Sequence, residues 1–304
     1  MTLAYTPYDG SGPLFKIGLK PMELPGWLEI DELLIPYLAE KNRLFATLPE
    51  KVFAAEEGTE DAQAEVLELA VEHLLRHFPE TYKRVGDAIE ITDHDRKIEL
   101  QGDAPLKIAS LLVQEDLVIM RRGDDGWRLA AASLCFPSSW RLAEKFRKPI
   151  DKIHMPVPGF GSGTRNASLI ERIFDKLAVD LPIERMNWSL QLNSDLYHPL
   201  SDMERDARAS DRSSRFGNED LAASLFIRVE RQTLRRLAKT GDILFTIRIY
   251  LDPMTRLRAH PDRGQIASAF ADQMLALDED QLDYKGFTAD RDMLVSSLRQ
   301  IAAS

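Results

Sequence analysis

The chain has 304 residues, with 49 Asp and Glu against 39 Lys and Arg, a formal charge of −10 and a pI near 5.2. That acidity argues against a phosphate-tracking surface, which needs clustered cations to displace counterions, so no nucleic-acid partner is expected. Hydrophobic residues make up 44 % and there is one cysteine, which fits a globular protein with a sizeable core. One thiol excludes an internal disulfide, a four-cysteine zinc site, a C-x-x-C redox pair and a resident iron–sulfur cluster. The N-terminus shows no basic leader followed by an apolar core. Apolar runs such as IASLLV (108–113) fall far short of the roughly 20 residues that span a bilayer. A cytoplasmic protein without a membrane partner is expected.

Residues 1–25 carry Pro and Gly without periodicity and read as an extended arm. A helical region follows over roughly 30–48. The next helix is clearer: over 63–78, Val66, Leu69, Ala70, Leu74 and Phe78 recur on one face, and Pro79 stops it. Segments 87–91 and 97–100 read as short strands and 104–116 as a short helix. Residues 117–136 read as a β-hairpin turning at GDDG (123–126). Ser138 or Ser139 is the expected cap of a helix through WRLAEKF (140–146). Residues 152–164 form a Pro- and Gly-rich loop, and 166–178 an amphipathic helix with Ile170, Ile173, Phe174 and Leu177 on one side. A strand is expected at 186–192. The charged, Ser-rich 199–219 reads as a loop and candidate lid. Strands at 225–232 and 242–251 flank an expected helical turn at 233–241, and helices near 264–276 and 288–302 end the chain. The pattern lacks regular strand–helix alternation, so the fold class is α+β. No linker divides it, and one domain over 1–304 is expected.

Side chains alternate between the faces of a strand. In the second of those strands Ile243, Phe245, Ile247 and Ile249 alternate with Leu244, Thr246, Arg248 and Tyr250. Pairing with 225–232 would let Arg228 and Glu230 join the polar set. That set is either a solvated sheet face or the wall of a polar pocket. Among the six histidines, His73 and His77 stand four apart on a helix, but HLLRH lacks the glutamate of H-E-x-x-H. His94 and His260 read as surface residues, and His198 as a candidate pocket residue. His154 opens a rigid Pro-x-Pro-Gly loop that could aim an imidazole at a metal or serve structure alone. Cys135, in LAAASLCF, reads as a buried small hydrophobe. The glycines of PGFGSGT (158–164) match neither phosphate-loop pattern.

Longer strings carry more information. WLEIDE (27–32), LLVQEDLVIM (111–120), CFPSSWRLAEKFRKPIDKIHMPVPGF (135–160), RMNWSL (185–190) and LFIRVERQTLRRLAKTGDILFTIRIYLDP (225–253) closely resemble the haem-dependent oxidative N-demethylase alpha-subunit-like family. The resemblance covers most of 25–255. It implies a PAS-like antiparallel sheet with flanking helices and a haem b monooxygenase. The implied reaction removes a methyl group from a small secondary amine with O2 and releases formaldehyde. It further implies electrons from NADPH through an FMN flavin and an iron–sulfur cluster on a separate reductase. His154 is the implied iron ligand, with Arg185, Asn187, Trp188, Arg231, Thr233 and Arg248 as haem-pocket residues. Glu230, Arg228 and Tyr250 are the implied catalytic groups. The family's R-L-P-x-[TS]-G step reads Arg236-Leu237-Ala238-Lys239-Thr240-Gly241 here, which changes a turn and no candidate ligand. A haem-binding sensor or carrier without turnover is the alternative on the same fold.

Overall fold

The computed structural model describes residues 3–12, 15–92, 94, 96–211, 213–216 and 221–304. Strand β1 (Lys20–Pro21) precedes helix α1 (Leu34–Thr47), the single turn α2 (Pro49–Val52) and strand β2 (Phe53–Ala55). Helix α3 (Glu60–His77) leads to short strands β3 (Tyr82–Val85), β4 (Ala88–Ile91) and β5 (Arg96–Glu99), then α4 (Pro105–Ser110). Next come the hairpin β6 (Asp116–Gly123) and β7 (Gly126–Ser133), and helices α5 (Leu142–Lys145), α6 (Ile150–Ile153) and α7 (Arg165–Lys176). Strand β8 (Ile183–Gln191) is followed by α8 (Asp202–Asp211), α9 (Leu221–Ser224) and the long strands β9 (Phe226–Arg236) and β10 (Ile243–Pro253). Helices α10 (Met254–Arg258), α11 (Arg263–Leu275), α12 (Glu279–Lys285) and α13 (Arg291–Ala303) complete the chain.

Seven strands form one antiparallel sheet in the order β1-β8-β9-β10-β6-β7-β2, and β3-β4-β5 form a second. The α+β expectation holds. Among the described residues no helix is long and apolar enough to cross a membrane.

Local chemistry explains most elements. Helix α3 buries Val66, Ala70 and Leu74, carries Glu60 and Asp61 in its first turn and Arg76 and His77 in its last, and so complements its own dipole. Thr164 caps α7 by accepting from the Ala167 N–H at 3.2 Å.

Elsewhere tertiary pairing overrides local preference. The expected helical turn at 233–241 is strand as far as Arg236, because 233–236 pairs with β10 and 233–234 also with β8. The reversal is confined to the next few residues, where Gly241 takes a φ of 76°. There the Glu65 carboxylate accepts from the N–H groups of Lys239 and Thr240 at 2.8 and 3.0 Å. Neither Ser138 nor Ser139 caps a helix: α5 starts after Arg141 without a side-chain cap, and Ser138 forms an isolated bridge with His198. The expected helix over 104–116 stops at Ser110, since Asp116 already pairs in β6. Within 199–219 the chain forms α8; residues 212 and 217–219 of that segment lie outside the described residues.

Residues directly opposed across a ladder share a face, so the register sorts the side chains. One face carries Trp188, Val229, Arg231, Thr233, Thr246, Arg248 and Tyr250. The C-terminal region covers part of it through Phe270 of α11 and Phe287 between α12 and α13, and α1, α3 and α4 cover the rest. The opposite face carries Arg185, Asn187, Arg228, Glu230, Gln232, Leu234, Phe245, Ile247 and Ile249. Its core includes Phe136, Phe160 and Phe174. Arg228 and Glu230 therefore do not join Thr246, Arg248 and Tyr250: Glu230 stands opposite Ile249, and Arg228 opposite Leu251. Nor is the polar set solvated, since Thr246 and Arg248 are each only 1 % exposed.

Candidate functional site

A cavity of about 280 Å³ lies against the face that carries Glu230. Its apolar walls come from Val118, Met120, Leu234, Phe245 and Ile247 of the sheet, Ile150 and Ile153 of α6, and Ile170 and Phe174 of α7. The loop after α6 adds His154, Val157 and Phe160. One end is polar: Arg185, Asn187, Glu230 and Gln232 project from β8 and β9 toward Tyr284 and Lys285 at the end of α12. The other end is bordered by Ser138, Ser139, Trp140, Lys145 and Arg205. Phe15 and Ser139, both on the wall, have φ values of 54° and 60°, so two of the three non-glycine residues with positive φ among those described border this cavity. Strained backbone of this kind concentrates at functional sites.

His154 ends α6, its N–H donating to the Ile150 carbonyl at 3.0 Å. The ring stands edge-on to Phe160, 6.3 Å between centroids. Among the described residues its buried Nδ1 has no hydrogen-bond partner. Burial, with help from the Arg185 and Lys145 charges, pushes the imidazole down to about 4, so it is neutral near pH 7. The buried Arg185 Nε likewise has no hydrogen-bond partner among the described residues, and burial lowers its guanidinium while Glu230 opposes that. Glu230 accepts from Gln232 Nε2 at 3.1 Å and lies 3.9 Å from Arg228 Nε. Lys285 Nζ donates to the Trp188 carbonyl at 2.6 Å, and burial brings its ammonium down to about 8 against the pull of Glu230. The Tyr284 hydroxyl is pushed up by burial and then by the Glu230 charge.

The remaining expected residues lie off the cavity or border it only partly. Arg228 is fully buried, donating to the Phe136 carbonyl at 2.7 Å and, at 3.3 Å each, to Gln191 Oε1 and the Leu196 carbonyl; it braces the wall without lining it. Trp188 borders the cavity, but its indole packs with Tyr8, Phe270 and Phe287 in the opposite core. Arg231, Thr233, Arg248 and Tyr250 lie on the far face beneath the 26–31 segment. Arg231 reaches Glu184 at 2.8 Å and the Gly26 carbonyl at 2.6 Å, and Arg248 reaches Asp31 at 2.7 Å. The Thr233 and Thr246 hydroxyls are 2.6 Å apart, and Tyr250 donates to Glu29. His198 contributes its backbone to the Ser138–Ser139 contact and does not line the cavity. The rings of His73 and His77 lie 4.6 Å apart, tilted by 45°, and no third His, Cys, Asp or Glu joins them among the described residues. Cys135 is buried, as expected.

At the polar end three groups lie outside the residues expected from the sequence: Gln232, Tyr284 and Lys285. Gln232 was legible, being two residues beyond Glu230 on the same strand face. The helix bearing the other two announces itself by a capping box between Asp278 and Gln281, but nothing local says where its end lands. Chemically, the cavity offers a neutral nitrogen ligand, cations able to bind carboxylates, and one carboxylate able to hold a cation or a proton. Residues 18–295 match the family model described as haem-dependent oxidative N-demethylase, alpha subunit-like. That span takes in every strand, the His154 loop and Lys285, and the chain belongs to the haem-dependent oxidative N-demethylase alpha-subunit-like family.

Proposed function

We propose that the chain is one haem-binding domain of PAS-like type that oxidatively demethylates a small secondary amine. The observation that carries this reading is the neutral His154 imidazole on the wall of an apolar cavity whose polar end holds Arg185, with His154 Nδ1 and Arg185 Nε both without a hydrogen-bond partner among the described residues. These residues fit a haem b: His154 as the iron ligand, Arg185 and Lys285 as partners for propionate carboxylates, and aliphatic and aromatic walls for the macrocycle. When bound, the haem supplies the oxygen chemistry, and the chain supplies orientation, charge and proton control. Overall, the amine, O2, two electrons and two protons give the demethylated amine, formaldehyde and water. NADPH, through FMN and an iron–sulfur cluster on separate polypeptides, is the proposed electron source.

Within this reading Glu230, the one carboxylate bordering the cavity among the described residues, either holds the ammonium form of the substrate or passes protons inward. Gln232 fixes one of its oxygens. Asn187 lines the same end. Arg228 acts through position, by tying β9 to the wall at Phe136. Arg231, Thr233, Arg248 and Tyr250 support the sheet from its other face.

The test is an absorption spectrum of the chain supplied with haem, beside His154→Ala, followed by oxygen uptake with amines and an electron donor. A haem band whose ligation changes in the variant, with amine-dependent uptake and formaldehyde, supports the reading. Haem binding without oxygen consumption leaves the sensor or carrier, and no haem uptake by the wild type removes the reading altogether.

A further inference from the structure

The outer side of the cavity wall carries cations that no side chain among the described residues neutralises. On α7, Ile170 and Phe174 turn inward to the cavity. Arg165, Leu169, Arg172 and Lys176 follow one another at steps of four, three and four residues, which makes a single row on a helix, and all four are exposed. The carboxylates of the same helix are taken: Glu171 and Asp175 both pair with Arg122, and Asp175 also accepts from Trp127 Nε1 at 2.9 Å. Among the described residues Arg165, Arg172 and Lys176 have no side-chain partner. The stretch that leads into and through α6 repeats the arrangement. Ile150 and Ile153 line the cavity, while Lys148 and Lys152 are exposed and unpaired among the described residues. Segment 141–176 holds eight Lys and Arg against four Asp and Glu, a balance of +4 in a chain of −10, so everything outside it sums to −14. Among these cations stand two exposed apolar side chains, Met155 at 50 % and Leu169 at 38 %.

Apolar side chains set among cations resemble the make-up of a transient protein interface, in which Met and Arg are enriched. A local positive field on an otherwise acidic protein selects and steers a partner of opposite sign. The helices bearing this field are one layer thick, with the cavity immediately behind. We propose that the outer faces of α6 and α7 form the docking surface for an acidic electron-transfer protein with a flavin or iron–sulfur centre. The electron-transfer role rests on the haem reading above. The acidic character of the partner rests on the charges alone.

The test uses the full chain without haem and a small acidic [2Fe–2S] ferredoxin as probe, with an acidic flavodoxin as a second probe. Binding is read by the fluorescence anisotropy of the labelled probe. Wild type should bind at low salt and weaken roughly tenfold between about 50 and about 300 mM salt. R165E/R172E/K176E should lose at least about tenfold at low salt, and the milder Arg172→Gln a smaller share. K83E/R84E, which reverses two exposed cations on β3, should bind as wild type does. Equal binding by wild type and the triple variant, with both folded by circular dichroism, overturns the proposal. So does the absence of salt-sensitive binding to either probe. Haem uptake is recorded separately on the same wild-type sample. Haem uptake without probe binding removes the docking surface alone, and probe binding without haem uptake removes the oxygenase reading alone.

Discussion

Arg248 stands directly opposite Arg231 across the β9–β10 ladder, both buried on the sheet face away from the cavity. Like charges so placed repel unless each is matched, and the 26–31 segment does most of the matching. Asp31 takes Arg248 at 2.7 Å, while the Gly26 and Trp27 carbonyls take Arg231, aided by Glu184. Gln114 and Glu115 hold the segment in turn, Gln114 Nε2 donating to Asp31 at 2.8 Å and Glu115 accepting from the Glu29 N–H at 3.0 Å.

Asp31→Ala should therefore leave a buried guanidinium short of its counter-ion and lower the unfolding free energy by about 2–3 kcal/mol. Urea titration measures it. Haem uptake should be unchanged, because the damage lies across the sheet; a haem defect in this variant would show that the two faces are coupled.

Acid should destabilise the chain through His73. The ring is wedged against Trp27, His77 and Phe78, and burial first, then His77, Arg235 and Arg76, bring it down to about 4 from its ordinary 6.5. Between those values the unfolded chain takes up a proton that the native state refuses, so stability falls as pH drops from about 6.5 to about 4, by about 3 kcal/mol in all. Asp116 works the other way. Burial raises it to about 6 from 3.8, so the native state gains a proton first, and its contribution grows as pH falls through that window. Unfolding titrations at a series of pH values should show a flatter acid limb for His73→Leu and a steeper one for an Asp116→Asn variant that still folds.

Arg185→Gln should separate binding from stability. The wild-type guanidinium is buried without a hydrogen bond at Nε, so its removal should stabilise the haem-free chain by about 1 kcal/mol. The same change should speed haem loss to apomyoglobin roughly tenfold if Arg185 binds a propionate. Faster loss without the gain in stability would mean that the arginine has a structural partner in solution.

Filling the cavity is the complementary test. Ile247 lies on its floor, and Ile247→Trp projects a large ring into it. The variant should stay folded, with a stability change within about 1–2 kcal/mol, and take up little or no haem. Normal uptake would move the haem site elsewhere in the molecule.

Much of this was legible along the chain. The i, i+4 recurrence in α3 and the inward Ile170 and Phe174 of α7 are local signals, and the structure follows them. So do the β6–β7 hairpin around GDDG and the buried Cys135. The stretch 233–236 departs from the expected helical turn because Thr-Leu-Arg-Arg shows no period that separates helix from strand, and its strand form depends on neighbours in β8 and β10.

By itself the sequence determined the family, the α+β class and the His154 motif, since each rests on residue types at fixed short spacings. Only the tertiary structure decided which face of β9 meets the cavity. Alternation with period two defines two faces and does not name them, and the ladder register sets Glu230 beside Ile249 instead of Tyr250. It also decided that Tyr284 and Lys285 close the site, because α12 reaches β8 across 97 residues of chain, from Trp188 to Lys285, by packing no local pattern encodes. Spacing names the groups that can do chemistry, and pairing and packing decide which of them meet.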